Sequence, residues 1–435
     1  MKTVFLSASL LAAAAAQAVP QIEVLSSSSQ DKSRLVTVDF TLDAPAVVTA
    51  DVCTNRGDGV YVTIGLANFA NLTGPLNRLT DGGTYRATWQ PVDSWPSNKV
   101  ENLRVVLKAW APENPPPYMV VDLTDKTTPA EDYTCAEAVP GGVTARIYKT
   151  DKMVFRKIDA AGRSFTCGAS PADRAAFSSG GEYDASYAPR EVAHRVNMTE
   201  DFYLAIYETT QQQYAHVCVN NNRGGSWPSG YQGEAYPNAA VMPVEKLAYT
   251  GSDTRTDYSF SMHYKLYGYI NIETRAGQEP TSTSVIGQFR AVSGMAMDLP
   301  TDAQWEYACR AGCPWPFYDW GPNPVAIAWC KACDPAPTCP QEVGTKDPNA
   351  WGLYDMLGNV SEMTRTIWAT PTSADAVDPT ESTGGTQFCV RGGAWNSDAI
   401  KQCRSAYRTA LGTGWNYSTT VDIGFRLSCP AVAVK

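Results

Sequence analysis

Histidine is scarce in this chain: three of 435 residues, at positions 194, 216 and 263, with no two adjacent. That excludes the His-rich clusters that hold mononuclear iron or zinc. No serine occupies the strand-to-helix context of a nucleophile elbow, so no hydrolase signature stands out. Charge is also scarce, with Asp, Glu, Lys and Arg making up 18% and a net charge of −9. Without a basic stripe to neutralise phosphates, nucleic acid is not an expected partner. Past the N-terminus no apolar run reaches the roughly 18 residues that a membrane span needs, so no span is expected in the mature protein.

Glycine (33), proline (29) and apolar residues (44%) are plentiful. This balance describes a globular, loop-rich chain of many short elements. Its length predicts two or three domains with room for a large core. Residues 1–18 read as a signal peptide: Lys2 is the positive start, Val4 to Ala16 the apolar stretch, and Ala16-Gln17-Ala18 the small-residue cleavage site. The expected location is therefore secreted, periplasmic or cell-surface. Twelve cysteines, an even number, then favour disulfides over zinc, including in the cluster Cys330, Cys333 and Cys339.

Residues 34–42, RLVTVDFTL, alternate strictly, with Val36, Val38, Phe40 and Leu42 on one face. The same period recurs at 46–52, 84–89 and 103–110, broken by Gly, Asn and Pro clusters. Such spacing predicts a small all-β sandwich of immunoglobulin or fibronectin type over 19–123, with 119–123 as its last edge strand. Residues 124–145 read as a linker, and 146–435 as a second domain of α+β class with few short helices. Two helices are marked there by capping boxes, Thr210 with Gln213 and Thr301 with Gln304, the second ending at Gly312.

Several segments of this second domain occur in a telling order: LPTDAQWEYACRAG (299–312), KDPNAWGLYDMLGNVSEMT (346–364), VRGGAWNSD (390–398), CRSAYR (403–408) and IGFRL (423–427). Together with HRVNMTEDFYLAIYETTQQQYAHV (194–217) and MPVEKLAY (242–249) they resemble the formylglycine-generating enzyme, or sulfatase-modifying factor, family. The resemblance implies a C-type-lectin-like fold held by buried aromatics, Arg–carboxylate pairs and calcium. Arg404, Arg408 and Arg426 are accordingly expected to be buried fork donors to carboxylates.

In that family a pair of cysteines after the Gly-Gly motif binds copper(I) and, with dioxygen as the oxidant, oxidises a substrate cysteine to formylglycine. Counted from Gly392-Gly393, the first cysteine position falls on Ser397 and the second on Gln402, or on Cys403 with a gap. Serine is no substitute for a thiolate on copper(I), so copper is not an expected cofactor and no catalytic residue can be assigned. A structural disulfide from Cys403 to Cys429 is the alternative reading of Cys403.

Calcium is an expected structural cofactor. The resemblance places its ligands at Asp355, Gly358, Val360 and Glu362, two acids seven residues apart around a glycine turn. The competing reading pairs Glu362 with a buried arginine. The family's second calcium segment corresponds to 327–343, where cysteines replace the expected oxygen ligands and cross-links are expected instead. A ligand surface is expected at Trp395, Asn396, Ser397 and Asp398, continued by Trp415, Asn416 and Tyr417, because flat aromatics among Asn, Ser and Asp suit a saccharide or an extended polypeptide. Trp395 reads equally well as core. Of four sequons, at Asn71, Asn197, Asn359 and Asn416, the one inside the family motif is the least expected to carry glycan.

Three functions follow. The first is a secreted, calcium-stabilised ligand-binding or scaffold protein. The second is a formylglycine-generating oxidase whose copper site is rearranged around Cys403. The third is another enzyme on the same scaffold.

Overall fold

Strict alternation at 36–42 produces the strand Val36–Leu42, whose Val36, Val38, Phe40 and Leu42 are buried while the residues between are half-buried. The computed structural model describes residues 19–433 apart from 30–34, 56–59, 65–72, 92–102, 172, 175–184, 219–228, 247–278, 318–323, 380–386 and 413–421. Val36–Leu42 lies between Ile22–Ser29 and Gly83–Trp89, antiparallel to both. A second antiparallel sheet centres on Ala46–Asn55, paired with Leu103–Trp110, Leu79–Thr80 and Tyr61–Thr63. Phe40, Leu42 and Ala87 of the first sheet share an apolar cluster with Ala46, Val48 and Ala109 of the second.

The strand expected to close this N-terminal unit forms, but in another sheet. Tyr118–Asp122 pairs with Lys152–Ile158 in a five-stranded sheet of order Ser428–Pro430, Phe202–Ala205, Lys152–Ile158, Tyr118–Asp122, Glu131–Tyr133. The reason is two-sided burial. Met119 and Val121 join Met153 and Phe155 in one core, whereas Val120 joins Val154 and Leu204 in the other. A strand apolar on both faces needs cover on both, which the interior of a larger sheet supplies. The stretch read as a linker contains this sheet's edge strand, Glu131–Tyr133.

Among the described residues three helices reach eight residues or more: α1, Gln211–Cys218; α2, Val285–Ser293; and α3, Asp302–Arg310. Both capping boxes form. Thr210 and Gln213 exchange bonds at 3.0 and 3.2 Å, and Thr301 and Gln304 do the same at α3. The left-handed cap of α3 is Ala311, one residue before the expected Gly312. The unanticipated helix, α2, starts at Ser284, whose Oγ accepts from Gly287 N–H, and stops at left-handed Gly294. Its apolar face, with Ile286 and Phe289, packs under the five-stranded sheet.

A four-stranded sheet, ordered Arg408–Gly412, Gln387–Arg391, Ser361–Ile367 and Ile423–Gly424, gathers the motifs of the C-terminal third. The molecule is thus mixed, with few helices and many strands. Among the described residues no helix is long and apolar enough to cross a membrane.

Candidate functional site

Buried arginines hold the loops of the C-terminal sheet together. Arg404 grips Glu191 with two bonds of 2.7 Å, and both side chains are buried. Arg391 bridges Asp302 and Glu306 of α3, and Arg408 reaches the other oxygen of Asp302 at 3.0 Å. Against the upward push of burial, Arg391 and Arg408 hold the Asp302 carboxyl well below the usual range. Arg426 takes both oxygens of Glu362, at 2.7 and 2.5 Å, while Trp305 Nε1–H donates to the same carboxylate at 2.7 Å. Of the three arginines singled out in the sequence, all buried, Arg404 and Arg426 are fork donors to a carboxylate, whereas Arg408 meets Asp302 through one nitrogen and donates Nε–H to Cys389 Sγ at 3.4 Å.

These contacts bear on the expected calcium ligands. Asp355 sits at φ +53° and is buried; its Oδ2 accepts from Gly344 N–H at 2.6 Å, and its Oδ1 has no partner. Gly358 is at φ +79°, and a methyl added there would come within 2.3 Å of the Trp329 carbonyl oxygen, so glycine alone fits. Val360 donates its N–H to Glu208 Oε1 at 3.0 Å. Glu362 is committed to Arg426 on both oxygens, which is the competing sequence reading of that residue. Glu208, absent from sequence reasoning, is fully buried; it also accepts from Asn359 Nδ2 at 2.7 Å. Asn359 is itself buried, so its sequon lies in the interior.

Of Glu208, Asp355 and Glu362, only Glu362 contacts the Arg426 guanidinium, while the charges of Glu208 and Asp355 act on the same group from nearby. Burial raises the Glu208 carboxyl far above its ordinary range, with Asp355 and Glu362 adding to the effect. Burial likewise pushes Asp355 up to about 6. For the family-implied calcium the unpartnered Asp355 Oδ1 is a ready side-chain ligand; a dication there would favour the ionised carboxylates that burial otherwise disfavours. Glu362 could join only by sharing its carboxylate with Arg426.

The copper positions are occupied differently. Ser397 is buried and its Oγ accepts from Ala394 N–H at 2.9 Å. Gln402 is tied locally, accepting from Asp398 N–H at 3.0 Å. Cys403 is fully buried and shares its apolar core with Cys330 rather than with Cys429. Cys429 packs in the opposite core with Tyr203 and Leu427, which corrects the expected pairing: the two cysteines belong to different cores. Against burial, the Cys330 thiol is held below its usual range, first by Cys403 and then by the Ala332 N–H and by Cys333, and Cys333 N–H donates to Cys330 O at 3.1 Å. All twelve cysteines are thiols in this structure.

The expected ligand surface begins one turn away. Trp395 N–H donates to Asn359 O at 2.8 Å, and Asn359 N–H donates to Trp329 O at 2.9 Å. Trp395 is half-buried, as is Asn396; Asp398 is exposed. The Trp395 indole N–H has no partner, and its ring meets Tyr231 edge-on at 6.0 Å. Tyr231 in turn packs edge-on against Tyr236, which lines a cavity of about 350 Å³ together with Asn238, Trp329, Gln341 and Glu342. Beside Tyr231, burial pushes Glu245 up to about 7, and its Oε2 is unpartnered. Trp415, Asn416 and Tyr417 lie outside the described residues. Tyr236 was missed in the sequence because no motif marks it; Glu245 and Trp329 fall inside the segments 242–249 and 327–343, but nothing local singles them out there.

Residues 163–429, more than half the chain, match the sulfatase-modifying factor enzyme 1-like domain, and the protein belongs to that family. A chaperone protein, LppX of Paenibacillus barcinonensis, is 28% identical over 181 residues, 37% of this chain and 61% of its own length. Mouse formylglycine-generating enzyme is 30% identical over 111 residues, 22% of this chain and 30% of the enzyme. The chain thus spans less than two thirds of the length of each of these relatives. Among solved structures, Treponema denticola variable protein 1 superposes with a TM-score of 0.45 at 20% identity, covering 64% of this chain and 95% of its own.

Proposed function

We propose that this family member is a secreted, calcium-stabilised binding protein that captures an extended polypeptide or a saccharide on the Trp395 surface, rather than an oxidase. The observation that carries the reading is the half-buried Trp395, whose indole N–H is unsatisfied and whose ring meets Tyr231, the neighbour of Tyr236, which lines a cavity with Trp329. A buried donor without a partner costs free energy that a ligand acceptor recovers, and the neighbouring rings supply stacking area. The chaperone named among the relatives favours a polypeptide ligand. The two N-terminal sheets are read as an immunoglobulin- or fibronectin-like sandwich acting as a spacer, and residues 1–18 as the export signal.

Binding is tested by titrating the full chain with a permanently unfolded polypeptide and with a glycan panel. Binding to one class, weakened at least tenfold by Trp395→Ala with an unchanged circular dichroism spectrum, supports the reading. Equal affinity in the variant, or no binding to either class, overturns it. For calcium, Asp355 is the residue that presents a free oxygen. Addition of calcium raises Tm in the wild type and not in Asp355→Ala; an identical response to chelator and calcium ends that part of the reading.

One observation favours the oxidase as a second reading: Cys330 gives Cys403 a neighbouring sulfur that the family motif places elsewhere. Conversion of a sulfatase-derived cysteine peptide to formylglycine with added copper(I), followed by mass spectrometry, decides it.

A further inference from the structure

Cys330 and Cys403 stand 73 positions apart in the sequence yet meet in the same apolar core, both fully buried. One backbone contact brings their segments together, and a second shapes the turn that carries Cys403. Lys331 N–H donates to Ser397 O at 3.1 Å, and Cys403 N–H donates to Ala399 O at 3.2 Å, closing the short turn that carries it. Gly393, at φ +71°, makes room: a methyl there would come within 2.9 Å of Cys403 Sγ. Cys333 also touches Cys330, but its thiol has an alternative acceptor, donating to Ala328 O at 3.4 Å. It sits on a turn between exposed Ala332 and exposed Asp334.

We propose that Cys330 and Cys403 are joined by a disulfide in the mature protein, leaving Cys333 as a thiol on the turn. The bond ties the 328–339 turn to the segment carrying Trp395, an anchoring role independent of what Trp395 binds. Its formation removes two protons and two electrons from the thiols. The acceptor is a small disulfide such as oxidised glutathione, reduced to two thiols. Cys330 attacks one of its sulfurs and expels a thiolate; Cys403 then attacks Cys330 Sγ and expels the second, before segment 394–403 closes. Burial in a dry core thereafter shields the bond from reducing thiols.

The test is peptide mapping of the full chain equilibrated with excess oxidised glutathione, alkylated under denaturing, non-reducing conditions. A cross-linked pair of peptides holding Cys330 and Cys403, with Cys333 alkylated, is the expected result. Alkylated Cys403, or Cys330 joined to Cys333 or any other cysteine, overturns the assignment. Cys333→Ser keeps the cross-link; its loss in that folded variant overturns the assignment too. Cys403→Ser exposes the segment, so that trypsin cuts after Lys401 about tenfold faster than in Cys333→Ser; equal rates sink the anchoring role. Should Cys403→Ser fail to fold, mapping of the wild type and Cys333→Ser still decides. The same cystine removes the thiolate pair the oxidase needs and leaves the ligand-binding reading standing.

Discussion

At Arg404 and Glu191 a single fork replaces what would otherwise be two uncompensated interior charges. Glu191→Gln leaves the guanidinium buried and half-paired, so stability falls by about 3–5 kcal/mol in denaturant titration; a loss below about 1 kcal/mol would mean that water reaches the pair. Asp132 presents the opposite case, a buried carboxyl with no cation in contact among the described residues. Burial pushes it up to about 7, opposed by the Tyr203 hydroxyl that donates to it at 3.3 Å and reinforced by Glu131. The folded chain therefore holds the proton more tightly than the unfolded chain, whose aspartate titrates near 3.9. This contribution to stability is complete below about pH 4 and is lost as pH rises through about 7, a linkage of order 4 kcal/mol. Asp132→Asn is thus expected to be more stable than the wild type at pH 8 and to lose the advantage at pH 4. Parallel pH profiles for the two proteins would refute that protonation state. The arginines were legible as residue types and Glu362 as an acid that could take one, but Glu191 was not legible, because it lies 213 positions from Arg404.

Among the elements, α3 does most to connect sequence to site. Its capping box fixes where the helix starts, and hence where Asp302 and Glu306 stand to receive Arg391 and Arg408. Thr301→Ala removes the bond to Gln304 N–H and is expected to cost about 1 kcal/mol in thermal or chemical unfolding; no measurable loss would show that tertiary ion pairs alone set the helix start. Both capping boxes could be read directly, since a Thr with Gln three residues on is local chemistry. The helix α2 carries equally local caps at Ser284 and Gly294, so its absence from the sequence reading reflects an overlooked signal rather than a hidden one. The calcium motif behaves otherwise. Its turn is dictated locally by Gly358, whereas the fate of Glu362 depends on Arg426, 64 positions away.

For the whole molecule, the informative boundary lies before residue 118. Tyr118–Asp122 sits between Lys152–Ile158 and the edge strand Glu131–Tyr133. A chain beginning at residue 112 keeps the five-stranded sheet intact, whereas one beginning at 124 removes a strand buried on both faces. The longer chain is expected to fold cooperatively and the shorter to lose its sharp thermal transition; equal Tm values would place the strand outside the cooperative core. Sequence alone determined the alternating N-terminal strands, the capped helices, the family motifs and the glycines of the turns, because each is written in neighbouring residues and backbone sterics. Tertiary structure decided the rest: the sheet that receives residues 118–122, the arginine that takes Glu362, the acid cluster around Asp355, and the meeting of Cys403 with Cys330. These depend on long-range burial, where a strand's second apolar face or an unpaired charge finds its partner only once the chain has closed on itself.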